Sequence, residues 1–272
     1  MLMPARFSVL LFLLLGFAGL KAQTYHAVVS TNMGKMEFML YDDTPLHRDG
    51  FIELAGKGHF NGTLFYRVIK DYIIQGGSKD SRNAPPGKFI GYGDPTKTVN
   101  DEILDHHICK KGALCAPRQP NDVNIFKQSD ISQFFVIQGV KYRSGQLDTM
   151  ELAVNRPIKR KIYDEVYPPE KKELLSKLKA EERWDEAREL ADEIKTEIDI
   201  RYALADGKLE FTEAQRQAYT SIGGAPQLEN EYTVFGEIVS GMEVVDKIAS
   251  LKTDQNNRPF TDVKIDVKII KP

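Results

Sequence analysis

Residues Phe65–Gly77 read FYRVIKDYIIQGG. Phe65, Tyr66, Val68 and Ile69 are aromatic or β-branched, as are Tyr72, Ile73 and Ile74, so a strand is expected on each side of Lys70-Asp71. One arginine, Arg67, sits inside the first strand. Taken alone, an arginine among strand residues reads as an exposed side chain or half of an ion pair. Gln75 and the turn-forming pair Gly76-Gly77 close the stretch.

Two further stretches lie outward from it: SQFFVIQG at Ser132–Gly139 and YTVFGEIVSGMEVVDKIA at Tyr232–Ala249. In this order the three resemble cyclophilin-type peptidyl-prolyl cis-trans isomerases. That signature runs Phe-aromatic-Arg-apolar-Ile, then an aromatic, an apolar residue and Gln-Gly-Gly, with a Ser-Gln-Phe-Phe strand and a barrel strand plus helix downstream. The resemblance covers most of Tyr25–Gly139 and Gly223–Lys271. It implies a mainly β fold, a closed eight-stranded antiparallel barrel capped by two helices.

The chain has 272 residues and a formal net charge of -2. That length suits one large or two modest domains, and the charge argues against nucleic acid as the main partner. Arg6 precedes an apolar run from Phe7 to Leu20, too short for a bilayer that needs ~20 residues. With Ala18 and Ala22 following as small residues, 1–22 reads as a signal peptide. The protein is expected to be exported, periplasmic in a Gram-negative bacterium and secreted otherwise, with no stable membrane insertion after processing. Cys115 reads as a small core residue and Cys109 as its unpaired neighbour, a disulfide needing a sharp bend in KKGAL. His106-His107 reads as a solvated turn, and no metal or cofactor is expected.

From Tyr25 the pattern is β. His26–Thr31 and Lys35–Leu40 flank an Asn32-Met33-Gly34 turn, with Met36, Phe38 and Leu40 on one face. Thr44-Pro45 reads as a hydroxyl cap opening a helix that carries Phe51, Ile52, Leu54 and Ala55. Ser78–Thr98 is a long surface loop leading to the acidic Asn100-Asp101-Glu102. The cyclophilin-like parts are 23–139 and 222–272, and 140–221 is a charged helical insertion. In the insertion, helices are expected after Pro168-Pro169, along Trp184, Ala187, Leu190, Ala191, Ile194 and Ile198, and after the capping box Thr212–Gln215. Val263, Ile265, Val267 and Ile269 alternate with charged residues in a last strand, one face buried and one wet.

The chemistry follows from the bond concerned. An X-Pro amide resists rotation by ~18–20 kcal/mol because the nitrogen lone pair is delocalised into the carbonyl. Rotation breaks no bond, so neither nucleophile nor metal is required. A guanidinium hydrogen-bonded to the localised lone pair of the twisted amide lowers the barrier, most of all where water is excluded. By resemblance, Arg67 takes the catalytic position, Tyr72 and Ile73 line the proline pocket, and Gln75 bonds substrate backbone. Phe135 forms the pocket floor and Leu228 a wall.

Three positions depart from the family. Pro117-Arg118-Gln119 stands where many cyclophilins have Ala-Asn-Ala on a substrate-binding edge, and a proline there lacks an amide donor. Tyr232 occupies the pocket histidine position, and Gln227 the tryptophan position, which bears on cyclosporin sensitivity. The reading is an isomerase acting on proline-containing peptides and on exported proteins as they fold. The alternatives are a binding or chaperone module on the same barrel, and a helical insertion that is itself the working part. Oligomeric state is not legible.

Overall fold

Strand pattern and turn chemistry build the barrel. The computed structural model describes residues 24–272, so the signal-peptide reading of 1–22 lies outside the described residues. β1 (His26–Thr31) and β2 (Gly34–Leu40) form the expected hairpin, followed by α1 (Pro45–Gly56), β3 (Thr63–Ile69) and β4 (Ile73–Gly76). Short strands β5 (Thr98–Val99) and β7 (Ser129–Asp130) pair with each other, flanking β6 (Ala113–Cys115), and β8 (Phe134–Ile137) follows. Four helices come next: α2 (Ser144–Val166), α3 (Pro169–Ala180), α4 (Trp184–Ala203) and α5 (Glu213–Ser221). The chain ends with β9 (Val234–Ser240), α6 (Met242–Ala249) and β10 (Lys264–Ile270).

Eight strands close in the order β1-β10-β3-β4-β8-β6-β9-β2, all neighbours antiparallel, which leaves the barrel no free edge. Alternation fills it. Met36, Phe38, Leu40, Ile74, Leu114, Phe134, Val136 and Ile265 point inward with Phe51 and Leu54 of α1 and Val244, Val245 and Ile248 of α6. At its centre Phe134 meets Phe51, Phe60 and Phe65 edge to face, with ring centroids 5.7, 5.6 and 5.8 Å apart. The Gly-Gly ending of the opening stretch is steric: a Cβ on Gly76 would lie 2.8 Å from the Leu64 carbonyl oxygen, and Gly77 has φ +96°.

Several local expectations are corrected. Tyr72 precedes β4 rather than lying in it, because Asp71 turns the chain at φ 63°. Thr44 does not cap α1; its hydroxyl faces the Tyr41 carbonyl at 3.5 Å. The cap arrives from the acidic loop, where the Glu102 carboxylate accepts the Leu46 and His47 amides, each at 3.0 Å. A carboxylate at a helix N-terminus satisfies free amides and complements the dipole. Burial pushes the His47 imidazole below its usual pKa, so it is neutral and donates Nδ1–H to Glu102 at 2.7 Å. Glu102→Ala is expected to cost about 1–3 kcal/mol in urea denaturation, removing a cap and orphaning a buried donor. A loss under about 0.5 kcal/mol would show the cap to be incidental.

Helices α2–α5 form an arm between β8 and β9. Ile162, Val166, Ile194 and Ile198 pack α2 on α4, while Leu175, Leu178 and Ala187 pack α3 on α4. The capping box at Thr212–Gln215 opens α5 as expected. The longest helix, α2, was not expected, since Pro157 lies inside it and only Leu147, Ile162 and Val166 are buried. Trp184, read as part of the α4 stripe, is largely exposed at the first turn. With the arm included, helices hold more residues than strands, so "mainly β" describes the barrel and not the whole chain.

The arm leaves and returns at one place. Val140 and Gly224 exchange backbone hydrogen bonds of 3.2 and 2.9 Å, and a Cβ on Gly224 would sit 2.4 Å from the Cys109 carbonyl oxygen. Leu147, Phe211 and Tyr219 pack with Ile108 beneath the arm, and Glu229 joins the Tyr219 hydroxyl to the Cys109 amide. No helix among the described residues is long and apolar enough to cross a membrane.

Candidate active site

Register across the sheet assembles the site. Arg67 pairs with Gln75, Gln75 with Phe135, Phe135 with Cys115, and Cys115 with Val234. Directly paired residues share a face, and adjacent strands lie about 4.8 Å apart. One row thus carries a cation, an amide and an aromatic ring on the outer face of the barrel. A register irregularity between Phe65 and Arg67 lets β3 bury Phe65 and Val68 while Arg67 joins this row.

The outer face of β4, β6 and β8 is apolar, unlike that of β10, where Lys264, Asp266 and Lys268 are exposed. Ile73, Phe135 and Leu228 are buried there with Cys115 and Val234, and Tyr72 and Tyr232 pack half-buried against them. Strands covered on both faces explain the unbroken run FFVI. Tyr232 meets Phe135 edge-on, with centroids 5.4 Å apart and planes at 89°. All five residues expected to line the pocket are therefore together, while Gln227 is exposed.

Arg67 is half-buried and makes no salt bridge among the described residues. Its guanidinium donates to the Gln75 side-chain oxygen at 3.4 Å. Gln75 donates in turn to the Tyr66 hydroxyl at 2.7 Å, Tyr66 donates to Gln133, and Gln133 donates to the Asp130 carboxylate at 2.8 Å. Every group passes its donor the same way, toward the one charged acceptor. Burial raises the Tyr66 pKa, keeping the phenol protonated and able to both accept and donate. This relay holds one edge of the guanidinium, so Gln75 serves Arg67 besides any role toward substrate. Tyr66, Gln133 and Asp130 were missed by sequence reasoning, although two of them lie inside the quoted motifs.

A scan of family models matches "Cyclophilin type peptidyl-prolyl cis-trans isomerase/CLD" over residues 26–154 and 151–269. The chain belongs to the cyclophilin family. It is a peptidyl-prolyl isomerase of that type, and its barrel and capping helices are the family's. A Staphylococcus saprophyticus protein named "Putative peptidyl-prolyl cis-trans isomerase" is 28% identical over 240 residues, covering 88% of each chain. A Streptococcus pyogenes protein named as a bifunctional phosphatase and isomerase is 26% identical over 245 residues, covering 88% of this chain and 37% of its own length. A Cryptosporidium parvum cyclophilin, solved also in the presence of the dipeptide Ala-Pro, superposes with TM-score 0.49 at 17% identity; in the first of those structures 92% of this chain and 98% of that one are covered.

In this cyclophilin the edge after β6 is altered. The Pro117 carbonyl accepts the Asp130 amide at 2.8 Å, so it is already engaged. The Arg118 guanidinium is held by Glu231 through the side chain and through a 2.6 Å bond to its carbonyl, and lies 5.2 Å from the Tyr232 ring centroid. Arg118 thus braces the pocket wall rather than presenting a second free cation. A concavity of about 1200 Å³ along Leu152, Pro157, Tyr163 and Tyr202 shares no residue with the Phe135 cluster.

Proposed function

We propose that this cyclophilin isomerises X-Pro bonds of exported proteins, using Arg67 as its catalytic residue and the Ile73–Phe135–Leu228 surface as the seat of the proline ring. The observation that carries it is the Arg67–Gln75–Phe135 row, a charged donor unclaimed by any carboxylate among the described residues, beside a water-poor apolar cluster. With the ring held against Phe135 and edged by Tyr72 and Tyr232, the residue before proline is free to turn. The guanidinium then meets the amide nitrogen as its lone pair localises, an interaction absent from the planar ground state. The substrate backbone is carried by Gln75 and by the main chain of Arg118, fewer donors than an Ala-Asn-Ala edge supplies.

The expected result is catalysed cis-trans exchange of a short Ala-Pro peptide, read by nuclear magnetic resonance, and faster refolding of an exported protein whose slow phase is proline-limited. Peptide binding without faster exchange would assign the barrel to recognition alone. Export rests on the apolar run before Ala22; the amino-terminal sequence of protein recovered from outside the cytoplasm is expected to start after it, and full-length protein in the cytoplasm would overturn this.

A further inference from the structure

His106 and His107 are consecutive, yet both rings converge on one carboxylate. His106 Nε2 lies 2.7 Å from Asp43 Oδ2, and His107 Nε2 lies 2.7 Å from Asp43 Oδ1. Consecutive side chains in extended backbone point apart. Here a turn, closed by the His107 amide on the Leu104 carbonyl at 2.9 Å, brings them to one side with centroids 4.3 Å apart. Asp43 comes from the turn before α1, 63 residues upstream of His106 and 64 upstream of His107, so sequence spacing gave no ligand pattern. The three ligand atoms lie within 4.8 Å of one another.

We propose that Asp43, His106 and His107 bind a borderline divalent transition cation, with Zn2+ the expected occupant. Two imidazoles and one carboxylate form a donor set that favours zinc over magnesium or calcium. With each ring protonated at Nδ1, both Nε2 lone pairs face the carboxylate and an ion enters between them. Zinc bonds of ~2.0–2.1 Å set ligand atoms roughly 3.3 Å apart on a tetrahedron, so the present contacts open by about half an ångström. The side chains able to move are the exposed ones, His106 at 65% and Asp43 at 47%, whereas His107 at 11% is fixed. Tyr41 fixes it, stacked on the ring at a centroid distance of 4.0 Å and an angle of 12°. The exposed side leaves a fourth position to water. The bound ion joins the start of α1 to the loop before β6.

The test is calorimetric titration of tag-free, EDTA-stripped protein with ZnCl2 alone, repeated on His106→Ala and Asp43→Asn. One Zn2+ per chain is expected, with affinity lowered about tenfold or more in each variant. Zinc should raise the melting temperature of the parent and not that of His106→Ala. No stoichiometric uptake at about 100 μM Zn2+, or uptake weakened less than about tenfold by either substitution, would overturn the proposal. His106 is exposed, so its variant remains informative if Asp43→Asn fails to fold.

Discussion

Replacing Arg67 with alanine is expected to slow proline exchange by about a hundredfold in kcat/KM, the usual cost of one preorganised donor. Arg67 is half-buried and joined to its relay by one long hydrogen bond, so stability should shift by less than about 1 kcal/mol. Arg67→Lys should recover only a small part of the rate, because a point charge cannot keep one edge on Gln75 while offering another to the amide. Tyr66→Phe tests the relay from the far end. It removes the acceptor of Gln75 and leaves the apolar ring, so kcat should fall several-fold with KM little changed. A folded Arg67→Ala protein within threefold of the parent would remove the catalytic assignment.

The second large effect separates two neighbouring rings. Phe134 lies inside the barrel against Phe51, Phe60 and Phe65, and Phe134→Ala is expected to cost about 3–5 kcal/mol. The folded fraction of that variant should keep its kcat/KM. Phe135 lies on the outer face, and Phe135→Leu, apolar and similar in volume, should cost under about 1.5 kcal/mol. Its kcat/KM should fall about tenfold, since the seat for the proline ring loses its flat floor. Denaturation midpoints and peptide exchange read the two quantities separately. The opposite pattern would mean that the inner and outer faces of β8 had been exchanged.

These contrasts show what a one-dimensional reading can reach. FYRVI, QGG and SQFF carry local information: the alternation of strand faces and the glycines that backbone approach demands. The family resemblance, not strand alternation, singled out Arg67, Tyr72, Ile73, Gln75, Phe135, Leu228 and Tyr232, and the fold gathers Tyr72, Ile73, Phe135, Leu228 and Tyr232 into one cluster. The contacts between distant segments were not legible. Glu102 capping α1, Glu231 holding Arg118 and Asp43 meeting two histidines each join residues more than fifty positions apart. Thr44 misled because a hydroxyl before proline is a sound local cap, and here a stronger carboxylate takes the place. Helix α2 was hidden by Pro157 and by a buried stripe of few residues.

The clasp between Val140 and Gly224 makes the four-helix arm an interchangeable cassette. Because its two ends already touch, doubling its length changes the closure entropy by only about 0.6 kcal/mol, and the strands on either side need not shift. Descent with modification can therefore lengthen, trim or swap what hangs from that joint while the Arg67–Gln75–Phe135 row stays untouched. A designer can use the same joint to mount a foreign recognition module beside a working rotamase.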